Sequence, residues 1–264
     1  MAPVASTLTL ILLPPSEGKS AGGRGGAWAP GSMAIDLDER RAVVMAALVR
    51  AMRGNEERRR ALLGVKGAAL AAATAADRSV STSPTLPAIE RYTGVLFEAL
   101  DHRTLPAAAR RRLDRSVVVL SGLWGVVAPP DPIPDYKLKM GASLPRLGKL
   151  SSYWRADVTA RLEGLAAGRR VWNLLPQEHD AAFRPTARPE QVSVAFLEPG
   201  RDGALVAVSH RNKFLKGALV RHLLEHPGTR PEDLADWDHP EGFRLDPGLT
   251  TVSGGRQRLC LVRR

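Results

Sequence analysis

Cysteine is nearly absent: Cys260 is the only one in 264 residues. A single thiol cannot close an intrachain disulfide or supply the ligands of a zinc finger or iron–sulfur cluster, which predicts a reducing, cytoplasmic setting. No stretch approaches the roughly 18 apolar residues of a transmembrane helix. The longest apolar run, Leu8 to Leu13 with its neighbours, stops at Pro14-Pro15 and has no cationic residue before it, which argues against a signal peptide. Aromatics are sparse at 5%, and neither a fixed-period repeat nor a long single-sign charge block occurs, so solenoids and charged tails are excluded. What is present is the 44% hydrophobic, 25% charged balance of a globular chain, with 38 Lys and Arg against 27 Asp and Glu. The resulting +11 favours DNA, nucleotides and phosphate-bearing small molecules as partners, and no membrane. Arginine-rich codon usage would produce the same surplus.

The pattern predicts one domain over 1–264, of mixed α/β class with a central mixed sheet surrounded by helices. Thr7 to Leu13 reads as a buried strand leading into a glycine-rich loop, Ser16 to Ser32. A helix with Asp36 or Asp38 as its cap should follow, then two short helices, Glu56 to Leu63 and Ala68 to Ala76, joined at Gly64-Val65-Lys66-Gly67. Further helices are expected over Ala88 to Leu100, Pro106 to Asp114, Ser151 or Ser152 to Leu165, and Asn212 to Leu224. Strands are expected at Val117 to Leu120, Tyr136 to Met140, Arg170 to Leu175, Gln191 to Leu197, Ala204 to Ser209 and Arg258 to Val262. Several of these should pair antiparallel.

Four motifs bear on chemistry. Leu13-Pro-Pro-Ser-Glu-Gly-Lys19-Ser20 has the tail of a P-loop but lacks its first glycine, and its prolines remove amides that a phosphate would need. It also holds the Ser16-x-x-Lys19 spacing of a serine nucleophile with a lysine base. His222-Leu-Leu-Glu225-His226 has the spacing of a helical zinc site but no familiar third ligand, so no metal is assigned. Gly64 to Gly67 resembles a helix–hairpin–helix turn, with Arg58, Arg59, Arg60 and Lys66 beside Gly64 and Gly67 as a candidate DNA contact through phosphates. In Ser209 to Gly217, Lys213 and Lys216 stand on the first turns of a helix, where cations oppose the helix dipole unless an anion is bound.

Several segments in order, Leu12-Leu-Pro-Pro-Ser-Glu-Gly-Lys19, Arg91-Tyr-Thr-Gly-Val95, Leu120-Ser-Gly-Leu-Trp-Gly-Val126, Asp135-Tyr-Lys-Leu-Lys-Met-Gly141, Tyr153-Trp154, Asn173-Leu-Leu-Pro-Gln-Glu178 and Ser209 to Gly217, resemble the YaaA family of bacterial peroxide-stress proteins. The resemblance spans nearly the whole chain. It implies a cytoplasmic protein that limits hydrogen peroxide damage, associated in the family with DNA binding and lowered free iron. Lys19, Tyr92, Gly94, Ser121, Gly122, Gly125, Tyr136, Lys137, Met140, Gly141, Glu178, Ser209, Lys213 and Gly217 match the family's positions. His179, Lys139 and Lys216 depart from it, standing where tyrosine, glutamate and arginine are frequent.

The matched polar residues fall at strand ends and in loops, where an α/β scaffold gathers a site. Ser16, Glu17, Lys19, Tyr92, Ser121, Tyr136, Lys137, Glu178, Ser209, Lys213 and Lys216 are therefore the candidate ligand or anion-binding pocket, and no cofactor is implied. Tyrosines for stacking and lysines for phosphate make an enzyme acting on a nucleobase, nucleotide or nucleic acid the alternative to a DNA-binding stress protein. Six scattered histidines on a basic chain do not favour direct iron sequestration.

Overall fold

A computed structural model describes residues 8–186, 190–209 and 211–263; Thr7, the expected start of the first strand, and His210 lie outside them. The strand β1 (Thr9–Leu13) is apolar at every position after its threonine because it runs through the middle of the protein. β2 (Val117–Ser121) is likewise buried at all five positions, so both faces of the sheet are covered here. β3 (Gly125–Val127), β4 (Arg170–Asn173), β5 (Gln191–Pro199), β6 (Leu205–Ala207), β7 (Arg244–Leu245), β8 (Thr251–Ser253) and β9 (Arg256–Val262) complete a nine-stranded sheet. Its main path runs β7-β9-β5-β4-β1-β2-β3, with β6 on β5 and β8 on β9.

The five central strands, β9-β5-β4-β1-β2, are parallel, and the antiparallel pairings expected from the sequence are confined to the remaining members. From β1 the chain first adds β2 on one side and later β4 on the other. This reversal opens a crevice at the carboxyl ends of β1, β2 and β4, the usual ligand position in such sheets.

Among the described residues ten α-helices pack around the sheet. α1 (Asp38–Ala51) begins without a side-chain cap, correcting the expectation for Asp36 or Asp38. Asp38 instead pairs with Arg41, whose fully buried guanidinium donates to the Trp124 and Val126 carbonyls at 3.1 and 2.9 Å and ties the helix to β3. α2 (Glu56–Leu63), capped by the Asn55 side chain, and α3 (Gly67–Arg78) are the expected pair of short helices.

Ala88 to Leu100 is not one helix. It divides into α4 (Ala88–Arg91) and α5 (Val95–Leu100). Arg91 explains the break: wholly buried, it donates to the carbonyls of Ser20, Gly22, Pro84 and Ile133, which draws residues 18–20 against residues 91–93. Lys19 and Tyr92 form a bridge there, and the Thr93 amide donates to the Gly18 carbonyl at 3.1 Å. Gly94 permits the approach, since a Cβ at that position would fall 2.3 Å from Ser16 Oγ.

The helix expected over Pro106 to Asp114 is α6 (Ala107–Ser116), with Pro106 as the N-cap residue just before it. Tyr136 to Met140 is not a strand: burial alternates, with Tyr136, Leu138 and Met140 inside, but its Lys137 amide donates to the Asp77 carboxylate at 2.7 Å rather than to a neighbouring strand. The helix expected from Ser151 or Ser152 is α7 (Leu150–Tyr153) followed by α8 (Arg155–Ala166), with no serine cap. α9 (Gln177–Asp180) follows β4, and α10 (Asn212–Glu225) packs on α5. Among the described residues no helix is long and apolar enough to cross a membrane.

Candidate functional site

A cavity of about 400 Å³ occupies the crevice at the carboxyl ends of β1 and β4. Ser16, Glu17 and Lys19 enter it from the loop after β1, Tyr136 and Lys137 from the irregular segment, Glu178 from α9, and Lys213 from the first turn of α10. Residues separated by almost 200 positions thus share one wall system, together with Lys139 and His179. Two of the expected residues lie behind this wall. The buried Tyr136 hydroxyl hydrogen-bonds Tyr92 Oη at 2.8 Å and Ser121 Oγ at 2.7 Å, and Ser121 Oγ also accepts from the Leu123 and Trp124 amides. Burial pushes the Tyr136 phenol up to about 12 and that of Tyr92 well above its usual range, so both stay neutral donors.

Ser209 and Lys216 stand apart from the cavity. Ser209 is exposed and does not line it. Lys216 Nζ donates to the Leu174 carbonyl at 3.0 Å, spending its charge on the chain just after β4, and burial lowers its pKa.

The four cavity lysines differ in their partners. Glu17 holds Lys137 Nζ at 2.8 Å and Lys139 Nζ at 3.3 Å. The hydrogen bond and charge of Lys137, followed by the charge of Lys139, bring the Glu17 carboxyl down to about 2 despite partial burial. Lys213 is exposed at the rim. Lys19 has no ion pair among the described residues: its Nζ donates to the Ser16 carbonyl at 3.0 Å and sits 4.4 Å from the centre of the Tyr136 ring and 5.8 Å from that of Tyr92. Burial lowers its pKa to about 8, helped by the charge of Lys137 and opposed by those of Asp135, Asp77 and Glu17. The Ser16-x-x-Lys19 spacing therefore does not make a serine–lysine pair, because the lysine bonds the backbone oxygen of Ser16 and not its hydroxyl.

Asp77 was not among the candidate residues. It is 0% exposed, its Oδ1 accepts from the Lys137 amide, and its Oδ2 has no partner. Burial pushes its carboxyl up to about 7. The signal was there: Leu70, Thr74 and Asp77 recur at helical spacing and form the buried face of α3. His179 is 9% exposed, neither ring nitrogen has a protein partner, and burial lowers its pKa.

The Gly64–Gly67 connection abuts this site. Gly64 ends α2 with φ +67°, and a Cβ there would lie 3.8 Å from Lys139 Nζ at the cavity's edge. Lys66 is the residue before α3, and Gly67, with φ +57°, begins it. Arg58 and Arg60 are exposed, whereas Arg59 is partly buried. Beside α2, an open groove of about 910 Å³ is walled by α1, α2 and residues 141–147, with Arg50, Arg58 and Arg146 along it. Gly141 joins the two spaces: it lines the groove, and its amide donates to Glu178 Oε1 at 2.8 Å on the cavity side.

His222 and His226 do not form a ligand pair for a metal. Their rings stack at 4.4 Å, His222 packs on Trp237, and burial takes His222 down to about 4. Among the described residues no group of three or more His, Cys, Asp or Glu could hold a metal ion.

Comparison with known proteins agrees with the segment order. The family model described as peroxide stress protein YaaA matches residues 9–249. A UPF0246 protein of Streptomyces coelicolor is 42% identical over 232 residues, covering 86% of each chain. Relatives from Corynebacterium glutamicum (34% over 220 residues, 81% of this chain and 84% of theirs) and Corynebacterium efficiens (32% over 264 residues, 96% and 99%) carry the same UPF0246 name. The chain belongs to the YaaA family of peroxide-stress proteins.

Proposed function

We propose that the protein limits peroxide damage by binding DNA through its phosphates, with little regard to sequence, in a cytoplasmic setting that suits its lone, buried Cys260. One observation carries this reading: the hairpin at Gly64, the arginine-bearing groove and the lysine cavity are contiguous through Lys139 and Gly141. A duplex lying along the groove meets Arg50, Arg58 and Arg146, then the amides around Gly64 and Gly67, with the cavity lysines at the end of the path. Any effect on free iron is then indirect, exerted through what the protein binds.

A second reading, an enzyme or binder for a nucleotide or other phosphate-bearing small molecule, draws on the cavity itself. Its volume suits a small ligand, and Lys19 over Tyr136 offers a cation beside an aromatic face.

Binding of the full chain to two unrelated duplexes across a salt series tests the first reading. Neutralising about six phosphates should weaken affinity about 1,000-fold between about 50 and about 200 mM salt, equally for both sequences. Salt-independent binding, or none at low salt, would remove DNA as the partner.

A further inference from the structure

We propose that Lys19 is an amine nucleophile that forms an imine with a phosphate-bearing aldehyde, and that His179 is the base that then removes the proton on the adjacent carbon. Where the aldehyde is the open sugar of an abasic site, the proposal rests on the DNA reading above; where it is a free sugar phosphate, it does not.

The contrast among the cavity lysines supports it. Lys137 and Lys139 are held by Glu17, but Lys19 Nζ hydrogen-bonds the Ser16 carbonyl and lies over the Tyr136 and Tyr92 rings, with the charges of Asp135, Asp77 and Glu17 acting on it without an ion pair among the described residues. A partly buried amine without a carboxylate ion pair, next to another cation, is the arrangement that leaves a lysine neutral enough to attack a carbonyl. With its pKa at about 8, its free-amine fraction at neutral pH is about 300 times that of a lysine at the usual 10.5. Lys137, Lys139 and Lys213 are placed to take phosphate. His179, nine-tenths buried in the same wall, has two unpartnered ring nitrogens and a lowered pKa that keeps one of them free to accept a proton.

The chemistry balances without an outside oxidant or reductant. The Lys19 lone pair forms a C–N bond to the aldehyde carbon, the carbonyl oxygen takes one proton from that nitrogen and a second from solvent, and loss of water leaves a protonated imine. His179 accepts the proton from the neighbouring carbon. In abasic DNA that electron pair forms a C=C bond as the phosphate on the next carbon leaves with its C–O pair, cutting the strand. Hydrolysis of the imine returns the amine.

The test incubates the full-length protein with cyanoborohydride and either a duplex bearing one abasic site or 2-deoxyribose 5-phosphate, followed by peptide mass mapping. A reduced adduct on Lys19 is expected with the abasic duplex, the sugar phosphate or both, and the two arms identify the source. Lys19→Met should lower trapping about 100-fold, in line with the lost free amine. His179→Gln should keep the adduct but lose strand cutting. Mapping the wild-type adduct makes the result independent of how well the variants fold. No adduct on Lys19 from either aldehyde, undiminished trapping by folded Lys19→Met, or undiminished strand cutting by His179→Gln overturns the proposal. Binding of intact duplex, measured in parallel, reports on the DNA reading separately.

Discussion

Replacing Asp77 by Asn alters the electrostatics beneath the cavity while sparing most of its geometry. The amide oxygen of Asn can still accept from the Lys137 amide, the 2.7 Å bond that Asp77 Oδ1 now makes. What disappears is a carboxylate whose second oxygen is buried and unpartnered and whose pKa has risen to about 7 from an ordinary 3.8. Below the ordinary value both folded and unfolded chains are protonated, and burial carries no charge penalty. As pH rises toward 7 the unfolded chain loses this proton while the folded chain keeps it, so stability falls, and above 7 the loss stays constant. Between about pH 5 and about pH 8 the wild type therefore gives up roughly 3 kcal/mol, two pKa units' worth, that Asp77→Asn does not. For a chain of this size that is about 6 °C in Tm. Thermal melts of both proteins at the two pH values should show the variant gaining that much relative to wild type at the higher pH. A Tm difference independent of pH would refute the assignment of Asp77 as a buried, uncompensated acid. Lys19 acts in a separate window with the opposite slope: its folded pKa of about 8 lies below its unfolded value, so it adds stability as pH rises from about 8 to about 10.5.

Three further outcomes follow from particular contacts. Tyr136→Phe removes the hydroxyl that joins Tyr92 and Ser121 in the core and should cost about 1–3 kcal/mol in denaturant unfolding, while leaving an aromatic face under Lys19. Lys66→Glu should weaken duplex binding in a titration with an unchanged Tm, whereas Gly67→Ala should also lower stability by about 1–2 kcal/mol because φ there is +57°. Glu17→Gln releases Lys137 and Lys139 and should tighten duplex binding at low salt and steepen its salt dependence, with no comparable change on mild acidification of the wild type, because Glu17 stays ionised to about pH 2.

The strands that build the sheet were legible because β1 and β2 are short apolar runs, β5 alternates over most of its length, and β4 and β9 hold shorter apolar stretches near turn residues. The break inside Ala88 to Leu100 was not, since Ala88, Leu96, Phe97 and Leu100 continue a helical apolar pattern and the cause is Arg91's bonds to four distant carbonyls. That break is what brings Tyr92 beside Lys19. In Tyr136 to Met140 the alternation correctly indicated which side chains point inward, but a period of two says nothing of whether a neighbouring strand exists to pair with. The cavity residues were found where strands end in loops, as the parallel centre of the sheet requires. Lys216 looked equivalent to Lys213, yet three residues along the helix it reaches the Leu174 carbonyl instead of the cavity. Asp77 shares the helical spacing of Leu70 and Thr74, which marks its face as buried, but spacing alone does not show that an acid on that face lies beneath Tyr136 and Lys19.

The proposed path along the groove ends at the cavity lysines, so peroxide protection should require the cavity and not only the bulk basic surface. Rescue of a peroxide-sensitive strain lacking its YaaA-family gene tests it most directly, using Lys19→Ala and Lys213→Ala proteins shown to be folded, beside a control that removes an exposed charge far from the site, such as Arg201→Ala. Loss of rescue by both cavity variants, with the control rescuing fully, is the predicted result. Full rescue by both cavity variants would contradict it.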